Sequence, residues 1–210
     1  TKDATDSLTK TDLLSQQLFA QVATLKNQGK LNSQSINELS QSFAERILQE
    51  APDDTYALAD IRTQDDNSKA ALKVYGNSLG ALIKKYEFPE EEEDELIIMK
   101  KALTTEDPSE LKKLIPIISL YSQGSKDLFA TKVPSDLAKD HLELVNSIVG
   151  MKDALIGMQS LFEDPLSGIT ALAQYQQGSS RLIKEVGVLR DYFTKKGIFF
   201  ALLTAVISGF

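Results

Sequence analysis

The feature that most constrains the fold is a row of mostly apolar side chains between residues 137 and 162. Successive members lie three or four residues apart, which places them on one face of an α-helix. The members are Leu137, His141, Leu144, Ile148, Met151, Leu155, Met158 and Phe162. A row of this length is typical of a helix that is buried along one face in a helical bundle. We therefore predict an all-α bundle in which the helix over 137–162 is the most buried element.

Apolar residues at helical spacing also predict two helices at the amino-terminal end, over 7–28 and 33–49. Their predicted inward residues are Leu14, Leu18, Val22 and Leu25 in the first helix and Ile36, Leu39, Phe43 and Ile47 in the second. We expect this hairpin, within residues 1–52, to pack on a bundle formed by 68–197. Residues 1–197 then form one helical bundle domain.

The stretch 53–67 keeps no helical period and is punctuated by acids, so it is predicted to be an extended acidic connector with one short strand-like piece. A helix over 68–86 follows, capped by Asp66, Asn67 or Ser68. Gly76 and Gly80 lie one turn apart on this helix. That spacing is expected to let another backbone approach closely.

The acidity of the chain is local. Residues 87–110 contain ten Asp or Glu residues and two Lys residues, whereas the formal net charge of the whole chain is −7. We predict an acidic helix over 90–103 that begins just after Pro89, because acids favour the positive end of a helix dipole. Binding of nucleic acid needs a clustered basic face, so nucleic acid is not an expected partner.

Two Asp-Pro pairs, at 107–108 and 164–165, each predict a helix cap followed by the first helical residue. The first pair opens a helix to about residue 130 that Pro116 should kink. The second opens a long helix that ends near Phe193, followed by a left-handed cap at Gly197. The complete prediction is six or seven helices, with long antiparallel helices in the C-terminal half.

The sequence contains no pattern that identifies a reaction. It has no Cys, which excludes disulfides, zinc–thiolate sites and thiol catalysis. The single imidazole, His141, falls in the buried row and is interpreted as a hydrogen-bonded core residue. The acids at 90–95 would fan around a helix axis and could not converge on one metal ion. We therefore predict a protein that is not an enzyme, without catalytic, cofactor-binding or metal-binding residues.

Several stretches of capping and packing residues form a recognisable set: KAALKVYGN at 69–77, the segments 107–116, 133–143 and 161–166, and the pair Tyr192-Phe193 continuing to Gly197-Ile198. In these stretches the chain resembles an uncharacterised family of helical, membrane-anchored envelope proteins of ultra-small candidate-phylum bacteria. The resemblance implies an extracytoplasmic helical domain, periplasmic or on the cell surface, behind an amino-terminal anchor or signal that is removed or missing here. It implies no reaction. The segment after Ile198 departs from the family.

An apolar tail occupies residues 198–210 and is the predicted interaction site. Its predicted interaction residues are Ile198, Phe199, Phe200, Leu202, Leu203, Val206, Ile207 and Phe210. As a helix, 197–210 would extend ~21 Å, against ~30 Å for the hydrocarbon core of a membrane. The sequence leaves three places open for it: its own domain, a groove of another copy, or a membrane as the start of an anchor.

The leading functional hypothesis is a non-enzymatic structural or interaction protein of the bacterial cell envelope. Such a protein would be a subunit of a surface appendage or of a secretion or pilus-like assembly, with a protein partner or self-association through the tail. One alternative is a helical bundle that binds a small molecule or a metal in an open cavity with convergent polar groups. A third class is an enzyme whose site is assembled from scattered acids.

Overall fold

The computed structural model describes residues 9–49, 55–87 and 93–200. Seven α-helices lie in these ranges: α1 Lys10–Asn27, α2 Ser33–Gln49, α3 Lys69–Lys85, α4 Glu95–Thr105, α5 Leu114–Phe129, α6 Ala138–Met158 and α7 Pro165–Lys195. Three short 3-10 turns, Leu58–Asp60, Pro108–Lys113 and Ser135–Leu137, connect some of them. The prediction of an all-α bundle of six or seven helices with a long C-terminal pair is confirmed, since α7 packs along α6.

The predicted helix caps are present at four positions. Ser68 Oγ accepts a hydrogen bond from Ala71 N (3.2 Å) at the start of α3. Asp107 and Asp164 cap the helical segments that begin at the two following prolines. Gly197 adopts φ 65°, the left-handed conformation that ends α7. These caps form as predicted because they depend only on residues within one turn of the helix end.

The extended connector contributes one strand, β1 Thr63–Gln64, to a minimal parallel pair whose other strand, β2 Val133–Pro134, lies between α5 and α6. Val133 N donates to Arg62 O (2.9 Å) beside this pair. Asn146 of α6 provides a second attachment, since its amide exchanges two 3.0 Å hydrogen bonds with the backbone of Tyr56. The described part of the connector, from residue 55, is therefore fastened to the helical core at two places.

Helix α6 is the centre of the molecule, as the periodicity predicts. Leu137, His141, Met151, Leu155 and Met158 are completely buried. The predicted end at residue 162 is wrong, because α6 stops at Met158 and Phe162 is 37% exposed. Residues 159–164 form a turn, closed by a hydrogen bond from Asp164 N to Ser160 O (2.7 Å), that reverses the chain before α7. Leu161 is buried in that turn instead.

The core consists of two apolar clusters. One contains Leu72 and Tyr75 of α3 together with Leu189 and Phe193 near the end of α7. The other joins α4 and α5 to the second half of α6 and the first half of α7. Leu182 contacts both clusters, so the long helices α6 and α7 form the common wall of the bundle.

The amino-terminal hairpin, formed by α1 and α2, contacts α7. Its predicted burial is wrong in part, because Leu18 is 40% and Ile36 48% exposed. The other described members of the two predicted stripes, Leu14, Val22, Leu25 and Leu39, are half-buried. The side chains of Phe43 and Ile47 lie outside the described part of the chain. Helical spacing aligned these residues on one side, but the bundle covers only part of that side.

Two further predictions are corrected around α4 and α5. The acidic helix begins at Glu95, capped by Asp94, and residues 90–92 lie outside the described ranges. The single helix predicted from Pro108 to about residue 130 is divided into a 3-10 turn, Pro108–Lys113, and α5, so Pro116 lies in the first turn of α5. Proline is tolerated there, since the first turn of a helix needs no amide donor.

The predicted approach of a backbone to Gly76 and Gly80 is also corrected. A Cβ at Gly76 would collide with the Phe200 ring, so an aromatic side chain fills the position. A Cβ at Gly80 would meet nothing within 4 Å. The tighter helix contacts are between α6 and α7, where a Cβ at Gly178 would lie 2.7 Å from Met151 Cγ.

Candidate functional site

His141 is confirmed as a hydrogen-bonded core residue. Leu128 O lies 3.1 Å from Nε2, so this nitrogen carries the proton and donates it. Nδ1 then accepts from the Tyr75 hydroxyl at 2.9 Å. Burial lowers the pKa of His141 to about 4, although the bond to Leu128 acts in the opposite direction. The imidazole is therefore neutral at pH 7, and both of its nitrogens are occupied.

Glu95 is the functional candidate that the sequence interpretation missed. Glu95 is 7% exposed, and the hydroxyl groups of Tyr121 and Tyr175 lower the pKa of its carboxyl group by less than burial raises it. Burial raises the pKa of Glu95 and of both tyrosines above their ordinary values. A signal was available, because Glu95 is in helical register with Ile98, Met99 and Ala102, the buried face of α4.

The neighbouring acid Glu93 behaves differently. Its carboxylate accepts from Lys101 and lies 3.3 Å from Lys113 Nζ. Hydrogen bonds from these two lysines lower its pKa. The acidic stretch therefore contains a carboxylate paired at the surface and a carboxyl group buried among tyrosines, only two residues apart.

The predicted tail is described as far as residue 200. Ile198 is buried, and the Phe200 ring packs edge-on against Phe193 with centroids 4.9 Å apart. Phe199 is 80% exposed. The remaining predicted interaction residues, Leu202, Leu203, Val206, Ile207 and Phe210, lie outside the described residues. Among the helices of the described ranges, none is both long and apolar enough to cross a membrane.

The amino-terminal hairpin carries an open groove between α1 and α2. It has a volume of about 480 Å³ and is lined by Ala20, Gln21, Thr24, Leu25, Ser35, Glu38, Leu39 and Ser42. Large apolar side chains on the same two helices face solvent, among them Leu13, Leu18, Ile36 and Phe19, the last 76% exposed. Thr11 fastens the beginning of α1 to the bundle by hydrogen bonds to Asp164 and from Leu166 N.

In the described part of the chain, the buried polar side chains are hydrogen-bonded, whereas the hairpin exposes several large apolar side chains. Within the described ranges, no buried side-chain nitrogen or oxygen lacks a hydrogen-bond partner. The same ranges contain no group of three His, Asp or Glu side chains arranged to hold a metal ion. No protein-family model, curated protein or solved structure matches this chain.

Proposed function

We propose that the protein is a non-enzymatic interaction protein of the bacterial cell envelope, a subunit of a surface appendage or of a secretion or pilus-like assembly. The observation that carries this proposal is the amino-terminal hairpin, which presents Leu13, Leu18, Phe19 and Ile36 to solvent. Burial of apolar surface contributes roughly 25 cal/mol per Å², so a partner that covered these side chains would stabilise the hairpin. Large exposed apolar areas commonly mark protein–protein contacts.

The shape of the hairpin favours a helical partner. An open groove between two helices with apolar residues such as Leu25 and Leu39 in its lining suits the apolar face of a third helix. Small polar residues such as Thr24 and Ser35 line the same groove and would allow close approach of that helix. The proposed partner is therefore a protein, either another component of the assembly or a second copy of this chain.

The envelope placement is supported by the family resemblance of the capping and packing stretches, notably 69–77 and 133–143. The predicted contribution of the tail remains part of the proposal, with Phe199 as its exposed described residue. The tail and the hairpin are separate surfaces and are tested separately.

A site-specific photo-crosslinker at Phe19 tests the hairpin in cells that produce the full chain. The matched control is the same crosslinker at Val74, which is 66% exposed on α3. We expect a discrete crosslinked protein from Phe19 and none from Val74, in the envelope fraction. Light scattering of the purified chain, alone and as Phe19→Ser, then distinguishes a second copy from another partner. A cytoplasmic location, or equal crosslinking from both positions, would contradict the proposal.

A further inference from the structure

The groove between α1 and α2 continues into apolar side chains that the bundle leaves uncovered. Leu25 and Leu39 lie in its lining. Leu18 precedes Leu25 by seven residues and Ile36 precedes Leu39 by three, so helical spacing places each pair on one side of its helix. Leu18 and Ile36 are both exposed. These four residues therefore form an apolar strip that extends the groove along both helices.

The groove offers almost no charge to a ligand. Among the described residues that line it, only Glu38 is charged. The Glu38 carboxylate already accepts a hydrogen bond from Gln34 Nε2, one turn earlier on α2 (2.9 Å). Thr24, Ser35 and Ser42 contribute small hydroxyl groups to the lining. A segment that binds here should therefore be apolar and uncharged, because a charge buried without a partner is costly.

Residues 201–210 of the tail have this composition, since none of them is charged. At helical spacing, their large apolar side chains fall on one stripe and their small residues on the other side. The large residues are Leu202, Leu203, Val206, Ile207 and Phe210, and the small ones are Ala201, Thr204, Ala205, Ser208 and Gly209. The pattern is typical of a helix that lays one apolar face into a groove.

A helical tail is too short to occupy the groove of its own chain. Thr11 fastens the start of α1 to Asp164, at the start of α7. The tail leaves the other end of α7, where Phe200 packs against Phe193. Helix α7 is about 45 Å long, whereas the groove lies within about 20 Å of Thr11 along α1. The remaining gap is wider than the ~15 Å that a helix over 201–210 extends.

We propose that residues 201–210 of one copy dock as a helix in the α1–α2 groove of a second copy. This inference rests on the proposed function, because it takes the hairpin as an interaction surface and names its occupant. The apolar stripe of the tail then covers the apolar strip of the hairpin. Groove and tail belong to different ends of α7, so the contact is head-to-tail and can repeat. Repetition gives a closed ring or an open filament, depending on the rotation between copies.

Full-length variants that each gain one negative charge test this contact. Val206→Asp places the charge within the apolar stripe of the tail, and its matched control, Ser208→Asp, places it on the opposite side. Thr24→Glu places the charge in the groove lining. Its matched control is Ala23→Glu, at the neighbouring exposed residue of α1, which is not part of the lining. Ser42→Glu, at an exposed lining residue of α2, replaces Thr24→Glu if that variant fails to fold.

Light scattering over a range of protein concentrations measures the association, and circular dichroism checks that each variant is folded. We expect the mass of the natural chain to rise with concentration above that of one copy. Val206→Asp and Thr24→Glu should each weaken this association by at least about tenfold, because docking would bury an unpaired charge. The two control variants should stay within about twofold of the natural chain, as surface substitutions usually do.

A mixture of Val206→Asp and Thr24→Glu tests the head-to-tail arrangement itself. The first variant keeps an intact groove and the second an intact tail. The mixture should therefore form particles of two copies, although neither variant associates alone. A mixture that keeps the mass of one copy would overturn the proposal, and so would equal association of Val206→Asp and Ser208→Asp.

The same protein distinguishes a membrane from a second copy. A natural chain that keeps the mass of one copy but floats with phosphatidylglycerol vesicles would overturn the proposal in favour of a membrane contact. Failure of the tail as occupant is distinguishable from failure of the proposed function. Crosslinking of another protein at Phe19 would still support the hairpin as an interaction surface, whereas the charge variants report only on the tail and the groove.

Discussion

His141 shows how hydrogen-bond partners decide what a potentially catalytic residue can do. Its two nitrogens contact the Tyr75 hydroxyl and the carbonyl of Leu128, so both hydrogen-bonding positions of the ring are occupied. The pair of bonds joins α3 and the end of α5 to α6. The residue therefore orients three helices in the core, where an unsatisfied polar group would be costly.

Replacement of His141 by Gln should lower the free energy of unfolding at pH 7 by about 1–3 kcal/mol, because glutamine cannot reproduce both buried hydrogen bonds. The pH dependence supplies a sharper test. Since the folded pKa is depressed from 6.5 to about 4, His141 stabilises the fold above pH 6.5, and this stability is lost as the pH falls towards 4. The loss amounts to about 3 kcal/mol in total.

Urea unfolding of both proteins between pH 4 and 7.5 measures this difference. The variant should show a shallower decline at low pH, since glutamine does not titrate. Metal analysis of the two proteins is the accompanying control, with no change expected. Parallel pH profiles would contradict the structural role of His141, and so would a stoichiometric metal that is lost only in the variant.

At the scale of single elements, α7 contains one glycine that close packing requires and another that it does not. A Cβ at Gly168 would lie 2.6 Å from Leu161 Cα, in the tight turn that joins α6 to α7. A Cβ at Gly187, further along the same helix, would meet nothing within 4 Å. The first glycine is required by packing, whereas the second only lowers the helix propensity of α7.

Alanine substitutions at these two glycines should therefore have opposite effects. Gly187→Ala is expected to stabilise the protein by about 0.5–1 kcal/mol through helix propensity. Gly168→Ala should destabilise it, by about 1–3 kcal/mol, because the added methyl group collides with backbone that cannot move aside easily. Thermal unfolding followed by circular dichroism compares the two directly. A stabilising Gly168→Ala would show that the turn at Leu161 is looser than described.

At the scale of the whole molecule, the first three residues of the tail, 198–200, pack as part of the bundle. Ile198 is buried, and Phe200 fills the space above Gly76 and packs against Phe193. The chain can return to the bundle because Gly197 takes a left-handed conformation and Ile198 N donates to Phe193 O (2.9 Å). Residues 198–200 thus close one end of the core.

Two truncations separate this structural role from the predicted interaction role of the remaining tail. Removal of 198–210 should lower the melting temperature by about 5–10 °C, since the burial of Ile198 and Phe200 contributes a few kcal/mol. Removal of 201–210 alone keeps both side chains. It should therefore lower the melting temperature less than removal of 198–210 does. Calorimetry measures these effects, and light scattering reports any change in mass. Equal melting temperatures for both truncations would show that residues 198–200 do not stabilise the core.

The sequence by itself determined those features that depend on neighbours a few residues away. The helical period of the row from Leu137 to Met158, the caps at Ser68, Asp107 and Asp164, and the left-handed Gly197 could all be predicted. Each depends on backbone geometry within one or two turns, so the residues involved are close together in the sequence. The all-α class follows from the sum of these local preferences.

Only the tertiary structure decided which side chains are covered and by what. Glu95 belongs to an acidic run in the sequence, yet it is buried because α5 and α7 bring Tyr121 and Tyr175 to it. Conversely, Leu18 and Ile36 obey the helical period but remain exposed, because the hairpin packs mainly on α7 within the described residues. Burial and pKa depend on contacts between residues far apart in the chain. Helical spacing indicates only which residues share a face, and the packing of the other helices decides whether that face meets protein or solvent.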